Sequence, residues 1–243
     1  MELNKIYNMD CIEGMKNIPD NSIDMILTDL PYGVTNCNWD KTIPFLPLWE
    51  QYNRVTKERA AIVLFSVQPF TTKLIHSNLK HFRYCWYWKK NNKTGFTFAK
   101  YQPMRCVEDI CVFYKCAPTY NPQGIKEIEN ARVRQRKDTG KDGIYKIRKM
   151  TKAYIQQYTN YPVHLLEFDN EAINNKNRLH PTQKPLALCE YLIKTYTNEG
   201  ETVLDSCAGS GTTLLAAKNT GRKYLGFETD QRYYNTSIDR LNA

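Results

Sequence analysis

Long apolar runs are missing from this 243-residue chain. No stretch reaches the roughly eighteen consecutive apolar residues of a membrane span, so no membrane association is expected. The opening residues, MELNKIYNMDCIEG, lack a basic segment followed by an apolar core. No export leader is therefore expected, and the eight cysteines read as reduced thiols of a cytoplasmic protein. Paired cysteine spacing is missing as well. Cys106, Cys111 and Cys116 recur at five-residue steps without the C-x-x-C pairs or regular histidines of a tetrahedral zinc site. They are expected as buried or half-buried packing residues, and no metal is expected. Acidic charge is in short supply: 25 Asp and Glu face 34 Lys and Arg, leaving +9 and a pI near 9.0. That balance suggests an anionic partner. What is present suffices for a core, because 42% of residues are hydrophobic and the length suits one full-sized domain or one domain with an insert.

Three zones follow along the chain. In residues 1–116, IDMILTD (23–29) and AAIVLFS (60–66) have the continuous apolar character of buried parallel strands. CIEGMKNI, PFLPLWEQYNRV and PFTTKLIHSNL read as helices around them, and FRYCWYWKK and DICVFYK as two further strands. Residues 117–179 lose this periodicity. Between positions 126 and 152 ten basic residues face four acids, so this stretch carries +6 of the total +9. A loop this long in a compact domain is usually functional or disordered. Residues 180–243 return to alternation: HPTQKP, the helical LALCEYLIKTY, the strand and turn TVLDSCAGSGTT, the strand KYLGFE and a last helix, DQRYYNTSIDRLN. Strands alternating with helices imply an α/β fold with a mostly parallel sheet.

Two motifs carry chemistry. After Asp205 the chain turns through Gly209 and Gly211 and enters a helix at Thr212. A phosphate-binding loop would need a lysine before that threonine, and a dinucleotide fingerprint would need a glycine where Leu214 stands. A nucleoside without a pyrophosphate fits better. Glu228 ends the next strand, 23 residues after Asp205, where a carboxylate can accept hydrogen bonds from two ribose hydroxyls. The second motif, Asp29-Leu30-Pro31-Tyr32, follows a strand directly. The Asp29 carboxylate and the Leu30 carbonyl can each accept one hydrogen of an exocyclic amine, aiming its lone pair at an electrophile. Pro31 stiffens the turn, and Tyr32 offers a face for stacking on a flipped base.

Together these residues resemble the S-adenosylmethionine-dependent DNA amino-methyltransferases. DLPY (29–32) is similar to the family's D-P-P-Y catalytic motif, and SCAGSGT (206–212) to its F-x-G-x-G cofactor motif. The order of catalytic motif, variable region, HPTQKP and cofactor motif resembles the β group, and PYGVTNCNWDKTIPFLPLWEQY resembles its short phage and prophage members. The resemblance implies a Rossmann-like methyltransferase fold, circularly permuted, with a seven-stranded, mostly parallel sheet holding one antiparallel strand. Its strands would be 4–8, 23–29, 61–66, 82–88, 109–115, 202–206 and 223–228. Residues 1–116 become the catalytic half, 117–179 a basic target-recognition insert, and 180–243 the cofactor half.

The resemblance also implies roles. Asp29, Leu30, Pro31 and Tyr32 hold the target amine and base, and Asp29 borders the cofactor. Asp10, Thr182, Lys184, Asp205, Ala208, Gly209, Gly211, Thr212 and Glu228 line the cofactor site, with Asp10 near the adenine and Thr182 and Lys184 near the methionine carboxylate. Arg132, Arg134, Arg136 and Lys137 of the insert, with Trp39, are expected on DNA. Leu30 replaces the family's proline, and Ser206-Cys207 replaces its aromatic residue. No cysteine follows a proline, which disfavours cytosine C5 chemistry. The aspartate at position 29 resembles the adenine N6 enzymes, serine being commoner in cytosine N4 ones. Double-stranded DNA is the implied substrate; a homodimer and a cognate restriction endonuclease are further partners such enzymes suggest. Cytosine N4 transfer, RNA methylation and a non-catalytic DNA-binding paralogue are the alternatives, followed by a nucleotide-dependent oxidoreductase.

Overall fold

The computed structural model of the protein describes residues 1–33, 41–134, 153–169 and 183–243. In chain order these form β1 (Lys5–Asn8), α1 (Cys11–Met15), β2 (Ile23–Asp29), α2 (Phe45–Val55), β3 (Thr56–Ser66), α3 (Phe70–Ser77), β4 (Phe82–Thr94) and β5 (Arg105–Phe113). There follow β6 (Lys126–Arg134), β7 (Tyr154–Thr159), β8 (Leu165–Glu167), α4 (Leu186–Tyr196), β9 (Thr202–Asp205), α5 (Thr212–Asn219), β10 (Lys223–Glu228) and α6 (Gln231–Asn242).

The chain divides into two units, residues Met1–Asn121 with His164–Ala243, and residues Pro122–Val163. In the first, eight strands make one sheet in the order β1-β10-β9-β2-β3-β5-β4-β8. Only β5 runs against its neighbours in that sheet. Strand alternation sorts the core into two faces. Met25 and Leu27 of β2 and Val63 and Phe65 of β3 face Leu188, Leu192 and Tyr196 of α4 and Leu214 of α5. Their neighbours Ile26, Ile62 and Leu64 face Met15 of α1, Trp49 and Tyr52 of α2, and Leu74 of α3. Strands covered on both sides need apolar residues at every position, hence the unbroken apolar runs.

The permuted connection is visible in the register. β1 pairs with β10, Lys5 opposite Leu225, so the first strand of the chain completes the half that the last strands begin. The centre of the sheet joins β2 to β9 through Met25–Val203 and Ile26–Leu204. From β9 the chain moves outward to β10, and from β2 in the opposite direction to β3. Such a reversal opens a crevice at the carboxyl ends of the two strands.

Three details depart from the sequence expectation. The sheet has an eighth strand, β8, parallel to β4. Its three residues are too few to show a period. β3 begins at Thr56 rather than in the apolar run, because Thr56 pairs with Ile23. Cys116 is exposed rather than buried or half-buried, because it lies past the end of β5, where its thiol donates to Glu58 Oε1 at 3.1 Å. The second unit contains the antiparallel pair β6 and β7, with Arg134 opposite Tyr154. It spans less of the chain than the expected 117–179 insert, since residues 164–169 belong to the first unit. Among the described residues no helix is long and apolar enough to cross a membrane.

Candidate active site

Three neighbouring parallel strands each end on a carboxylate. Asp29 closes β2, Asp205 closes β9 and Glu228 closes β10. They stand side by side at one edge of the sheet, because β9 pairs with both β2 and β10.

Asp29 is the most heavily engaged of the three. Its Oδ1 accepts from the Tyr32 hydroxyl at 2.6 Å and its Oδ2 from the Lys184 ammonium at 2.5 Å. The Lys184 side chain is 8% exposed and that of Asp29 26%. The same ammonium lies 3.4 Å from Glu108 Oε2, and Glu108 Oε1 accepts from Lys90 at 2.5 Å. Asp29, Lys184, Glu108 and Lys90 thus form one line of alternating charge, with the neutral Tyr32 hydroxyl bonded to its Asp29 end. Burial raises the Asp29 carboxyl above its ordinary range, against the opposing pull of Lys184. Burial also works against the Lys184 ammonium, but Asp29 and Glu108 outweigh it and hold the group protonated. Glu108 is lowered on balance, since Lys184 and Lys90 overcome the cost of its burial. Its buried Oε2 has no hydrogen-bond partner among the described residues.

The rest of the tetrapeptide is packed against the helices. Leu30 is buried with the α2–α3 face of the core, and the half-buried Tyr32 ring lies 5.1 Å from Phe70, tilted by 37°. Pro31 is half-buried between them.

Around the glycine turn the backbone is fixed by its neighbours. Gly209 and Gly211 have φ of 52° and 76°, a region that costs side-chain-bearing residues. Glu228 Oε2 accepts from the Gly209 amide at 2.7 Å and Oε1 from the Asp230 amide at 2.8 Å. The Thr229 amide also donates to this carboxylate, and of its about four acceptor sites about one remains for a ligand. Burial raises the Glu228 carboxyl. It also pushes the Asp205 carboxyl up to about 7, although the Cys207 amide donates to it at 3.1 Å. Ala208 is buried and its amide donates to the Phe227 carbonyl at 2.8 Å. The Thr212 hydroxyl accepts from Arg240 at 2.7 Å. Ser206, which stands where the resemblance has an aromatic, is buried, with its hydroxyl 2.6 Å from that of Tyr52.

The structure therefore brings Asp29, Tyr32 and Lys184 together at β2 and Asp205, Ala208, Gly209 and Glu228 at β9 and β10. Asp10 follows β1, where its carboxylate caps α1 through the amides of Ile12 and Glu13. Asn8, at the end of β1, pairs with Glu228, which puts Asp10 at the same edge. Lys184 was expected beside a ligand carboxylate; its ammonium instead bonds the protein's own Asp29. Arg132 and Arg134 lie on β6. Trp39, Arg136, Lys137 and Thr182 lie outside the described residues. Glu108 and Lys90 were missed by the sequence reading. The signal was there: charged residues inside the aromatic and apolar strands FRYCWYWKK and CVEDICVF.

A sheet that reverses direction between β9 and β2, with these carboxylates at its strand ends and the glycine turn after β9, is the fold of a class I methyltransferase. Known proteins give the same class. The family model for DNA methylases matches residues 23–239. The chain is 30% identical to the type II methyltransferase M.HpaI of Haemophilus parainfluenzae, over 96% of this chain and 73% of that one. It is 25% identical to M.HindIII of Haemophilus influenzae, over 97% and 94%. Among solved structures, a complex of M1.HpyAVI with S-adenosylmethionine aligns with a TM-score of 0.64 at 24% identity, covering 97% of this chain and 98% of that one. The cytosine-N4-specific PvuII DNA methyltransferase aligns at 0.71 with 18% identity, over 97% and 85%. These two likenesses are of fold. The chain belongs to the DNA methylase family, whose members include N6-adenine and N4-cytosine enzymes.

Proposed function

We propose that the protein methylates the N6 amino group of adenine in double-stranded DNA, with S-adenosylmethionine as methyl donor. The observation that carries this reading is Asp29 at the end of β2, bonded to Tyr32 and beside the strand that ends on Asp205. An aspartate in that place accepts from an exocyclic amine, and aspartate rather than serine at this motif position resembles the adenine enzymes.

The residues present fit the cofactor. Glu228 has about one acceptor site left for a ribose hydroxyl, and Gly209 keeps the turn beside it free of a side chain. S-adenosylmethionine supplies an electrophilic methyl carbon on a sulfonium. Asp29 accepts one hydrogen of the target amine and the Leu30 carbonyl the other, which directs the nitrogen lone pair. The ring of Tyr32 stacks on the extruded base while its hydroxyl keeps Asp29 in one rotamer. Lys184 favours the ionised, accepting form of Asp29 against the burial that opposes it. Arg132, Arg134, Arg136 and Lys137 hold the DNA phosphates, an attraction that weakens with salt. The enzyme works in the cytoplasm.

DNA from cells expressing the chain, hydrolysed and resolved by mass spectrometry, is expected to contain N6-methyladenine. N4-methylcytosine in its place would move the target to cytosine, and neither base would refute the activity. Asp29→Ala is expected to abolish transfer while leaving cofactor binding, measured by calorimetry, in place.

A further inference from the structure

The turn that joins β4 to β5 is the most unusual surface of the first unit. From Ala60 to Val107 the chain contains no acidic residue; towards the turn Lys89 and Lys90 pair with Glu167 and Glu108, and Lys93, Lys100 and Arg105 lie around the turn itself. At the tip of this basic stretch stand three solvent-facing aromatic rings: Phe96 is 81% exposed, Phe98 57% and Tyr101 86%. The tip is held in shape. Gly95 turns it at φ 93°, and the amides of Phe98, Ala99 and Tyr101 donate to the carbonyls of Gly95, Phe96 and Phe98 at 2.9–3.0 Å. Folded proteins place such rings in water at a cost, and clusters of them mark sites of interaction.

Position gives the partner. β4 runs parallel to β3 and β2 and so ends at the edge of the sheet that carries Asp29. The base of the turn is joined to that site, because Lys90 of β4 pairs with Glu108 of β5 and Glu108 faces Lys184 on Asp29. The tip lies five residues past Lys90, a reach of up to about 15 Å. Lys93, Lys100 and Arg105 flank the rings, with no acid among them.

We propose that residues 95–104 form a wedge that enters the DNA duplex beside the target, the aromatic rings stacking in the space left by the extruded base while the flanking cations hold the phosphates. The proposal rests on the DNA-methylation reading. Apolar wedges unstack neighbouring base pairs, and stacked aromatics return part of the cost. Duplex DNA with both phosphates and base faces satisfies the charge and the rings together. A second copy of this chain would bring the same positive charge against itself.

The test compares the wild type with a Phe96→Ala, Phe98→Ala, Tyr101→Ala triple variant and with each single substitution. The probes are synthetic duplexes bearing the modified site found by sequencing DNA from expressing cells, with the target base either paired or mismatched. On the paired duplex the triple variant is expected to turn over at least about tenfold more slowly, and the mismatched duplex, which is already open, is expected to restore most of the loss. Equal rates on the paired duplex overturn the proposal. So does an equal loss on both duplexes, or a loss explained by a change from dimer to monomer in sedimentation. Unchanged cofactor affinity checks the fold of the triple variant, and the single variants decide if that check fails. Failure of the wild type to methylate any DNA refutes the proposed function instead, and is distinguishable from all of these.

Discussion

Replacing Lys184 with methionine tests the charge line at its centre. The ammonium bonds Asp29 and faces Glu108, and both it and Glu108 are largely shielded from water. Removing one partner of a buried pair costs about 3–5 kcal/mol, and the partial exposure of Asp29 favours the lower figure. For a chain of this size 1 kcal/mol shifts the melting temperature by about 2–4 °C, so Lys184→Met is expected to melt about 6–12 °C lower near neutral pH. The sign of the pH dependence follows from the groups left behind. Without the cation, Asp29 lies further above its ordinary range, so folding is penalised where Asp29 is ionised and relieved where it is protonated. The deficit should therefore shrink as pH falls through the raised Asp29 value. In the wild type Asp29 is itself raised, so part of this penalty is already present, while the Lys184 and Glu108 contributions persist near neutral pH. Lys184, raised, loses its contribution only as pH climbs through its folded value; Glu108, lowered, loses its own only as pH falls through a value below the usual 4.5. Activity should fail first at the acid end, where Asp29 ceases to be an acceptor. A Lys184→Met, Asp29→Asn double variant should recover most of the stability and none of the activity. Thermal melts of the three proteins at several pH values measure this. A deficit that does not change with pH, or a double variant as unstable as the sum of the singles, would refute the reasoning.

Other expectations follow from single sites. Gly211→Ala adds a Cβ at φ 76° and 2.9 Å from Ser237 Cβ, so it should lose about 1–3 kcal/mol in urea denaturation. Ser237→Gly should restore the steric part of that loss but not the conformational part. The Asp205 carboxyl, raised to about 7 from an ordinary 3.8, binds more protons folded than unfolded between those values. Stability should fall as pH rises across that window and level off above it, and Asp205→Asn should remove that slope from the melting curves. Neutralising Arg132, Arg134, Arg136 and Lys137 together should flatten the slope of log affinity against log salt by about 3.6, about 0.9 for each phosphate contact, with cofactor affinity unchanged in calorimetry.

The chain's strands and helices were readable because burial on two faces leaves a plain mark. IDMILTD and AAIVLFS cannot be other than interior strands, and LALCEYLIKTY matches α4 residue for residue. Leu165–Glu167 left no such mark: its place is set by pairing with β4, not by its own pattern. DLPY and SCAGSGT announced the candidate site because turns that bring backbone close to a ligand tolerate few residue types. That Glu228 would also hold the Gly209 amide was not readable, since it depends on strands meeting in three dimensions.

By itself, then, the sequence determined the α/β alternation, the carboxylates that end β2, β9 and β10, and the permuted order of the two halves. All are local: a periodicity, a strand end, a position along the chain. Only the tertiary structure decided that Lys184, 155 residues from Asp29, would bond it, and that Glu108 and Lys90 would extend the line to the base of an aromatic turn. Charge acts over a few ångströms in space whatever the separation along the chain, so the partners of a buried ion are known only once the sheet has set its neighbours side by side.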